Sequence, residues 1–178
     1  NPNTIVFSDK ASRSDIDDTG ETENSLAFAN KVWEYRPAPG QFINTTTSAY
    51  KNGFTYDDIL KEATRKIRQK SIITLGGFGG YIVLVFTQSI PNAYYNLKTE
   101  TGKLGGSAEP GIVFVSKDVN GNGEPDDEWY ELAGSEYGKD TETRGYEITY
   151  YRPEPANQNV SWKDNQGNEG EILRNSFH

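Results

Sequence analysis

The sequence predicts a mainly β protein, an antiparallel β-sandwich or jelly roll with one short helix, and three observations carry that expectation. Short apolar segments of strand character recur through the chain from Ser71 onward. Glycine-rich connections separate them, as they do in sandwiches and jelly rolls. Helical periodicity with a start signal is found at one place, near Tyr56 to Gln69.

In chain order, Ser8 to Ser25 (SDKASRSDIDDTGETENS) is acidic, small and nearly free of large apolar groups. Such a segment cannot bury enough surface to offset the entropy of ordering it, so residues 1–25 are expected to form a flexible arm and residues 26–178 the β-sandwich domain. Val32 to Phe42 (VWEYRPAPGQF) alternates up to Tyr35 and then carries Pro37, Pro39 and Gly40, as an edge strand running into a turn would. For the helix, Thr55 and Asp58 make a capping box, and Asp57 and Asp58 suit the positive end of the dipole. Ile59, Leu60, Ala63 and Ile67 then form one apolar stripe. Strand character follows in Ser71 to Leu75, Tyr81 to Thr87, Gly111 to Lys117, Glu128 to Ala133 and Tyr146 to Arg152.

Composition narrows the chemistry. A chain of 178 residues supports one domain with a real core. Cysteine and methionine are absent, which removes disulfides, thiolate metal sites and cysteine nucleophiles. A net charge of -8, with no basic stripe to offset it, argues against nucleic acid as a partner. The longest apolar run, Tyr81 to Phe86, has the length of a buried strand, far below the roughly 20 residues that span a bilayer. The chain begins with Asn, as expected of a processed chain, so contact with a membrane would come only through a lipid anchor lying upstream.

Two tempting motifs dissolve on inspection. The glycines of Leu75 to Tyr81 (LGGFGGY) have no Lys-Ser/Thr after them and run into a strand, whereas a phosphate cradle needs a helix terminus. They read instead as a close-packed turn between strands. The single histidine is His178, the last residue, which is expected to be frayed and not catalytic, so a nucleophilic triad finds no support.

Asp118 to Leu132 (DVNGNGEPDDEWYEL) is the most informative stretch. Asp118, Asn120 and Asn122 fall on alternate positions, Gly123 follows, and Asp126, Asp127 and Glu128 close the run. Alternate oxygen-bearing side chains converge on one hard cation when glycine makes the bend, with the Glu124 carbonyl turned inward and a later carboxylate completing the shell. Calcium is the expected ion, held by Asp118, Asn120, Asn122, Asp126 and the Glu124 carbonyl, with Asp127 or Glu128 as the closing acid. Trp129 stands where an EF-hand would have glutamate, and a strand follows in place of a helix. The competing reading is a hairpin turn supplied by two Asn-Gly steps. Three adjacent acids, which repel one another without a cation, favour calcium. Lys163 to Glu171 (KDNQGNEGE) lacks the alternating rhythm and reads as a simple turn.

Six blocks, Lys31 to Asn44, Ile73 to Phe86, Ala108 to Glu136, Ile148 to Pro153, Val160 to Gly170 and Asn175 to His178, together resemble a family of Bacteroidetes cell-surface proteins. The resemblance implies an exported, often lipid-anchored protein with a galactose-binding-like β-sandwich, found near outer-membrane nutrient-uptake systems. It transfers no catalytic residue. The chain departs from the family between Ile90 and Glu109, where it reads PNAYYNLKTETGKLGG, and relatives continue past the final Phe-His with further strands, so a sandwich ending at His178 is expected to be cut short at its C-terminus or finished by something else.

Three functions are compatible with these features. The first is a non-catalytic extracellular module for a glycan or another small ligand such as a corrinoid, with exposed aromatics as a stacking platform. Tyr94, Tyr95, Trp33 and Trp162 are the foremost candidates, with Tyr35 and Trp129 also considered, although aromatics at alternate strand positions are usually core. The second is a structural or partner-binding surface domain of an uptake system. The third is a glycan hydrolase, which needs two carboxylates across a cleft.

Overall fold

The computed structural model describes residues 3–8, 28–40, 42–43, 53–86, 111–134 and 136–174. These form a mainly β structure with one helix: β1 (Asn3–Ser8), β2 (Lys31–Arg36), α1 (Tyr56–Arg68), β3 (Tyr81–Val85), β4 (Gly111–Ser116), β5 (Trp129–Glu131), β6 (Ile148–Tyr150), β7 (Val160–Asp164) and β8 (Glu169–Ile172). Five strands make one sheet in the order β2-β3-β1-β4-β5, and β6-β7-β8 make a second.

Pairing departs from the wholly antiparallel expectation at the centre of the larger sheet. There β1 runs parallel to both neighbours, with Val6 opposite Val83 on one side and Phe114 on the other. The outer pairs, β2 with β3 and β4 with β5, are antiparallel, as is the whole second sheet. The flexible arm expected over residues 1–25 therefore begins with a strand: Asn3–Ser8 carries Ile5, Val6 and Phe7, a compact run of strand formers, into the middle of the sheet. The acidic stretch beyond Ser8 lies outside the described residues.

The helix forms where its start signals place it. The Thr55 hydroxyl accepts from the Asp58 amide, and the Asp58 carboxylate accepts in return from the Thr55 amide at 3.0 Å, which satisfies two of the orphan donors of the first turn. Its apolar stripe packs Ile59, Leu60, Ala63 and Ile67 on one face of the larger sheet, against Val32, Tyr35, Ile82, Leu84 and Phe86. Ala63 is fully buried at the contact, where a side chain without branches lets the helix approach closely. Polar bonds tie the same helix to the edge strand: Thr64 Oγ1 accepts from the Val32 amide at 3.0 Å, and Arg68 Nε donates to the Asn30 carbonyl at 2.8 Å. The edge of β2, irregular between Val32 and Glu34, is covered this way.

Ser71 to Leu75, expected as a strand, is irregular instead. It leaves α1 through Lys70 in the left-handed region, and Ile72 stands 76% exposed. It is tied to the sheet edge by the Thr74 carbonyl, which accepts from the Tyr35 hydroxyl at 2.6 Å, and by the Leu75 carbonyl, which accepts from the Ala38 amide at 3.0 Å. The glycine-rich turn that follows is close-packed as expected. Gly76 has φ +78, and a Cβ there would press on the Ala38 carbonyl and lie 2.8 Å from Ile43 Cδ1.

The smaller sheet meets the larger at this turn. Phe78 packs edge-on against Tyr146 at 4.5 Å, and the Tyr150 hydroxyl donates to the Phe78 carbonyl. The β7–β8 connection is the simple turn expected of it, with Asp164 Oδ1 accepting from the amides of Gln166 and Asn168. Among the described residues no helix is long and apolar enough to cross a membrane.

Candidate functional site

The loop from Asp118 to Glu128 joins β4 to β5, which pair antiparallel with Ser116 opposite Trp129. Asp118 is buried, 9% exposed, and both its carboxylate oxygens are engaged by the backbone. Oδ1 accepts from the Gly121 amide at 2.6 Å and Oδ2 from the Gly123 amide at 3.1 Å. Turning two amides in three residues toward one carboxylate requires left-handed backbone, and Gly121 and Gly123 supply it with φ +76 and +78.

A second layer of bonds faces Asp126. Asn120 Nδ2 donates to its Oδ1 at 3.1 Å, and Asn122 Nδ2 donates to its Oδ2 at 3.0 Å. These two bonds, the Asn122 one first, hold the Asp126 carboxyl below the ordinary aspartate range. The oxygens of the same amides turn back to the chain: Asn120 Oδ1 accepts from the Asn122 amide at 2.9 Å, and Asn122 Oδ1 from the Glu124 amide at 2.8 Å.

The structure thus bonds Asn120 and Asn122 to Asp126, while Asp118 separately holds the amides of Gly121 and Gly123. The other two acids go elsewhere. Asp127 Oδ2 accepts from the Val119 amide at 3.1 Å, bracing the base of the loop. Glu128 Oε2 accepts from the Tyr130 hydroxyl at 2.6 Å along β5, and that carboxylate pushes the Tyr130 phenol upward. Among the described residues no group of three or more Asp, Glu, His or Cys side chains is gathered for a metal. The side chains that do meet are the Asp126 carboxylate and the two neutral amides of Asn120 and Asn122. Carboxylate and amide oxygens are the hard donors that calcium prefers, and the Asp126 oxygens would meet a cation only once the Asn120 and Asn122 amide nitrogens release them.

Beside the loop lies a cleft of about 320 Å³ on the sheet face opposite α1. Alternation along the strands builds it: Ile82 and Leu84 point to the helix, so Tyr81 and Val83 point away from it. Glu34 of β2 and Phe114 of β4 join them, with Pro125 of the loop and Trp129, the first residue of β5, lining the far end. Trp129 is fixed by its indole nitrogen, which donates to the Pro125 carbonyl at 3.3 Å. Burial, and then the neighbouring Glu34 carboxylate, push the Tyr81 phenol upward. Glu34 also accepts from Arg36 Nε at 2.9 Å. Among the described lining residues Glu34 alone carries a carboxylate.

Of the aromatic residues expected to contact ligand, Trp33 and Trp162 do not line this cleft. Trp33 is half-buried with Lys31 Nζ 5.1 Å from its ring centre. Trp162 lies across the strand pair onto Gly170, whose Cβ, if present, would sit 2.8 Å from the indole. Tyr94 and Tyr95 fall outside the described residues. Glu34, Tyr81 and Phe114 were not singled out from the sequence. Their shared signal is alternate position on strands that the helix covers from one side, and it becomes visible only with the strand order.

No protein-family model matches the chain, and no curated protein matches it.

Proposed function

We propose that the protein is a non-catalytic extracellular binding module for a glycan, with the ligand seated on the sheet face of Glu34, Tyr81, Phe114 and Trp129. The supporting observation is the cleft itself: aromatic walls, one carboxylate, and about 320 Å³, the lower end of small-ligand sites. A sugar ring has an apolar C–H face that packs on aromatic rings and hydroxyls that donate to a carboxylate. Calcium in the neighbouring loop, held by Asp118, Asn120, Asn122 and Asp126, would steady Pro125 and, through its indole bond to the Pro125 carbonyl, Trp129 of the cleft.

This reading takes the two sheets, joined where Tyr150 meets Phe78, as the layers of a galactose-binding-like sandwich. Export to the cell surface, an upstream lipid anchor and outer-membrane uptake partners rest on the resemblance of the six sequence blocks. A structural or partner-binding role is the second reading, favoured by Tyr130 and Leu132, which stand 57% and 38% exposed at the edge strand β5. A hydrolase has least support, because a second carboxylate facing Glu34 would be needed.

A glycan array followed by calorimetric titration tests the proposal, using the whole chain and Trp129→Ala, each in calcium and in chelator. Saturable binding that Trp129→Ala weakens by about tenfold or more is expected of a stacking anchor. Absence of glycan binding under both conditions, or binding indifferent to Trp129, overturns it.

A further inference from the structure

The loop carries two successive Asn-Gly steps, Asn120-Gly121 and Asn122-Gly123, and in each the glycine nitrogen and both polar atoms of the asparagine side chain are hydrogen-bonded. In that reaction the glycine backbone nitrogen attacks Cγ of the preceding asparagine. An N–Cγ bond forms, the Cγ–Nδ2 bond breaks, and Nδ2 leaves as ammonia with the proton of the attacking amide. Water then opens the five-membered imide at one of its two carbonyls, giving aspartate or isoaspartate. Glycine is the favoured neighbour because no Cβ hinders the approach.

The nucleophile comes first. The Gly121 and Gly123 amides donate to the two oxygens of buried Asp118, at 2.6 and 3.1 Å. Each nitrogen is thereby aimed at Asp118 and away from its own asparagine side chain. The electrophile is fixed at both ends. Asn120 is held through Oδ1 by the Asn122 amide and through Nδ2 by Asp126, and Asn122 through Oδ1 by the Glu124 amide and through Nδ2 by Asp126. For either imide to close, an asparagine must rotate about its side-chain bonds and its glycine nitrogen must leave Asp118. Both asparagines are exposed, so water reaches them once the loop opens.

We propose that Asn120 and Asn122 are deamidation sites kept closed by the loop's own hydrogen bonds, with Asp118 holding the nucleophiles and Asp126 holding the leaving groups. The modification then records how often the loop opens. Its product places one or two new carboxylates beside Asp118 and Asp126, in a chain whose net charge is already -8. Isoaspartate would also lengthen the backbone where the β4–β5 register is set. The proposal stands apart from the glycan and calcium readings, so the experiment is run in chelator.

The whole chain is incubated at mildly alkaline pH, folded and in urea, and the tryptic peptide Asp118 to Lys139 is followed by mass spectrometry, with fragmentation that separates aspartate from isoaspartate. Conversion in the folded chain is expected to be at least about tenfold slower than in urea, the protection that a locally closed segment confers. Asp126→Ala, which frees both side-chain amides, is expected to bring the folded rate toward the urea rate while thermal unfolding stays cooperative. Equal rates for the folded and urea-unfolded chain overturn the proposal, whatever the variant does. So does a slow folded rate that Asp126→Ala leaves unchanged in a chain that still unfolds cooperatively.

Discussion

The hydroxyl of Tyr150 donates to the backbone carbonyl of Phe78 at 2.9 Å, a bond between residues 72 positions apart that ties the three-stranded sheet to the glycine turn of the larger one. Burial pushes the Tyr150 phenol upward, in keeping with a hydroxyl that has left water for a carbonyl. Tyr150→Phe removes the donor and keeps the ring. The expected loss is about 0.5–1.5 kcal/mol, seen as a melting temperature lower by about 2–4 °C per kcal/mol in a domain of this size. An unchanged melting curve would mean that the two sheets do not depend on this contact.

Two glycines with similar backbone angles should respond differently to a methyl group. Gly76 and Gly121 have φ +78 and +76, so alanine at either pays the left-handed cost of about 1–2 kcal/mol. At Gly121 nothing lies within 4 Å of the new Cβ, whereas at Gly76 the Ala38 carbonyl carbon is 2.9 Å away. Overpacking adds about 1–3 kcal/mol, so Gly76→Ala should lower the urea midpoint clearly more than Gly121→Ala. Equal shifts would show that the turn relaxes around the methyl.

The helix cap ties stability to acid. Hydrogen bonds from the Thr55 side chain and then its backbone hold the Asp58 carboxyl below the ordinary aspartate range, and the two asparagine amides do the same for Asp126. A depressed folded-state pKa means stability that is fully present above the unfolded value of about 3.9 and lost as pH falls through the folded one. Chemical denaturation should therefore be level near neutrality and decline below about pH 4. Thr55→Ala should cost about 1 kcal/mol at pH 7 and make the decline shallower. A decline of unchanged steepness would detach it from the cap.

How much of this was legible in the sequence follows from which features are local. Thr55, Asp58 and the Ile59–Ile67 stripe lie within one helix, so α1 could be read from its start signals. β3 and β4 could be read because their apolar runs are unbroken. β1 was missed because Ile5-Val6-Phe7 is short and abuts an acidic stretch, and its parallel direction has no local sign, since alternation is the same for either direction. β7 and β8 are short and polar, with one face of each exposed. The two-residue rhythm singled out Asp118, Asn120, Asn122 and Asp126, but their bonds to glycine amides and to one another depend on the backbone path of the loop. The cleft was not legible, because Glu34, Tyr81 and Phe114 come from three strands whose order depends on inserting β1 between β3 and β4.

Calcium gives the last prediction. The loop holds two carboxylates, Asp118 and Asp126, and two side-chain amides, and Asp126 has its oxygens on amide nitrogens that a cation would displace. Two neutral donors make a weak set, yet sites of about 0.1–1 mM suffice outside cells. Bound to the folded chain alone, calcium at about 100 times its dissociation constant should add about 2.7 kcal/mol. The melting temperature should then be higher in excess calcium than in chelator, and magnesium, which demands tighter octahedral geometry, should substitute poorly. Asp118→Ala should abolish the calcium-dependent difference and also lower the melt in chelator, because the Gly121 and Gly123 amides lose their acceptor. The two effects are separable: a lower melt in chelator with no calcium response in the unaltered chain would leave Asp118 as the brace of a hairpin and dismiss the ion.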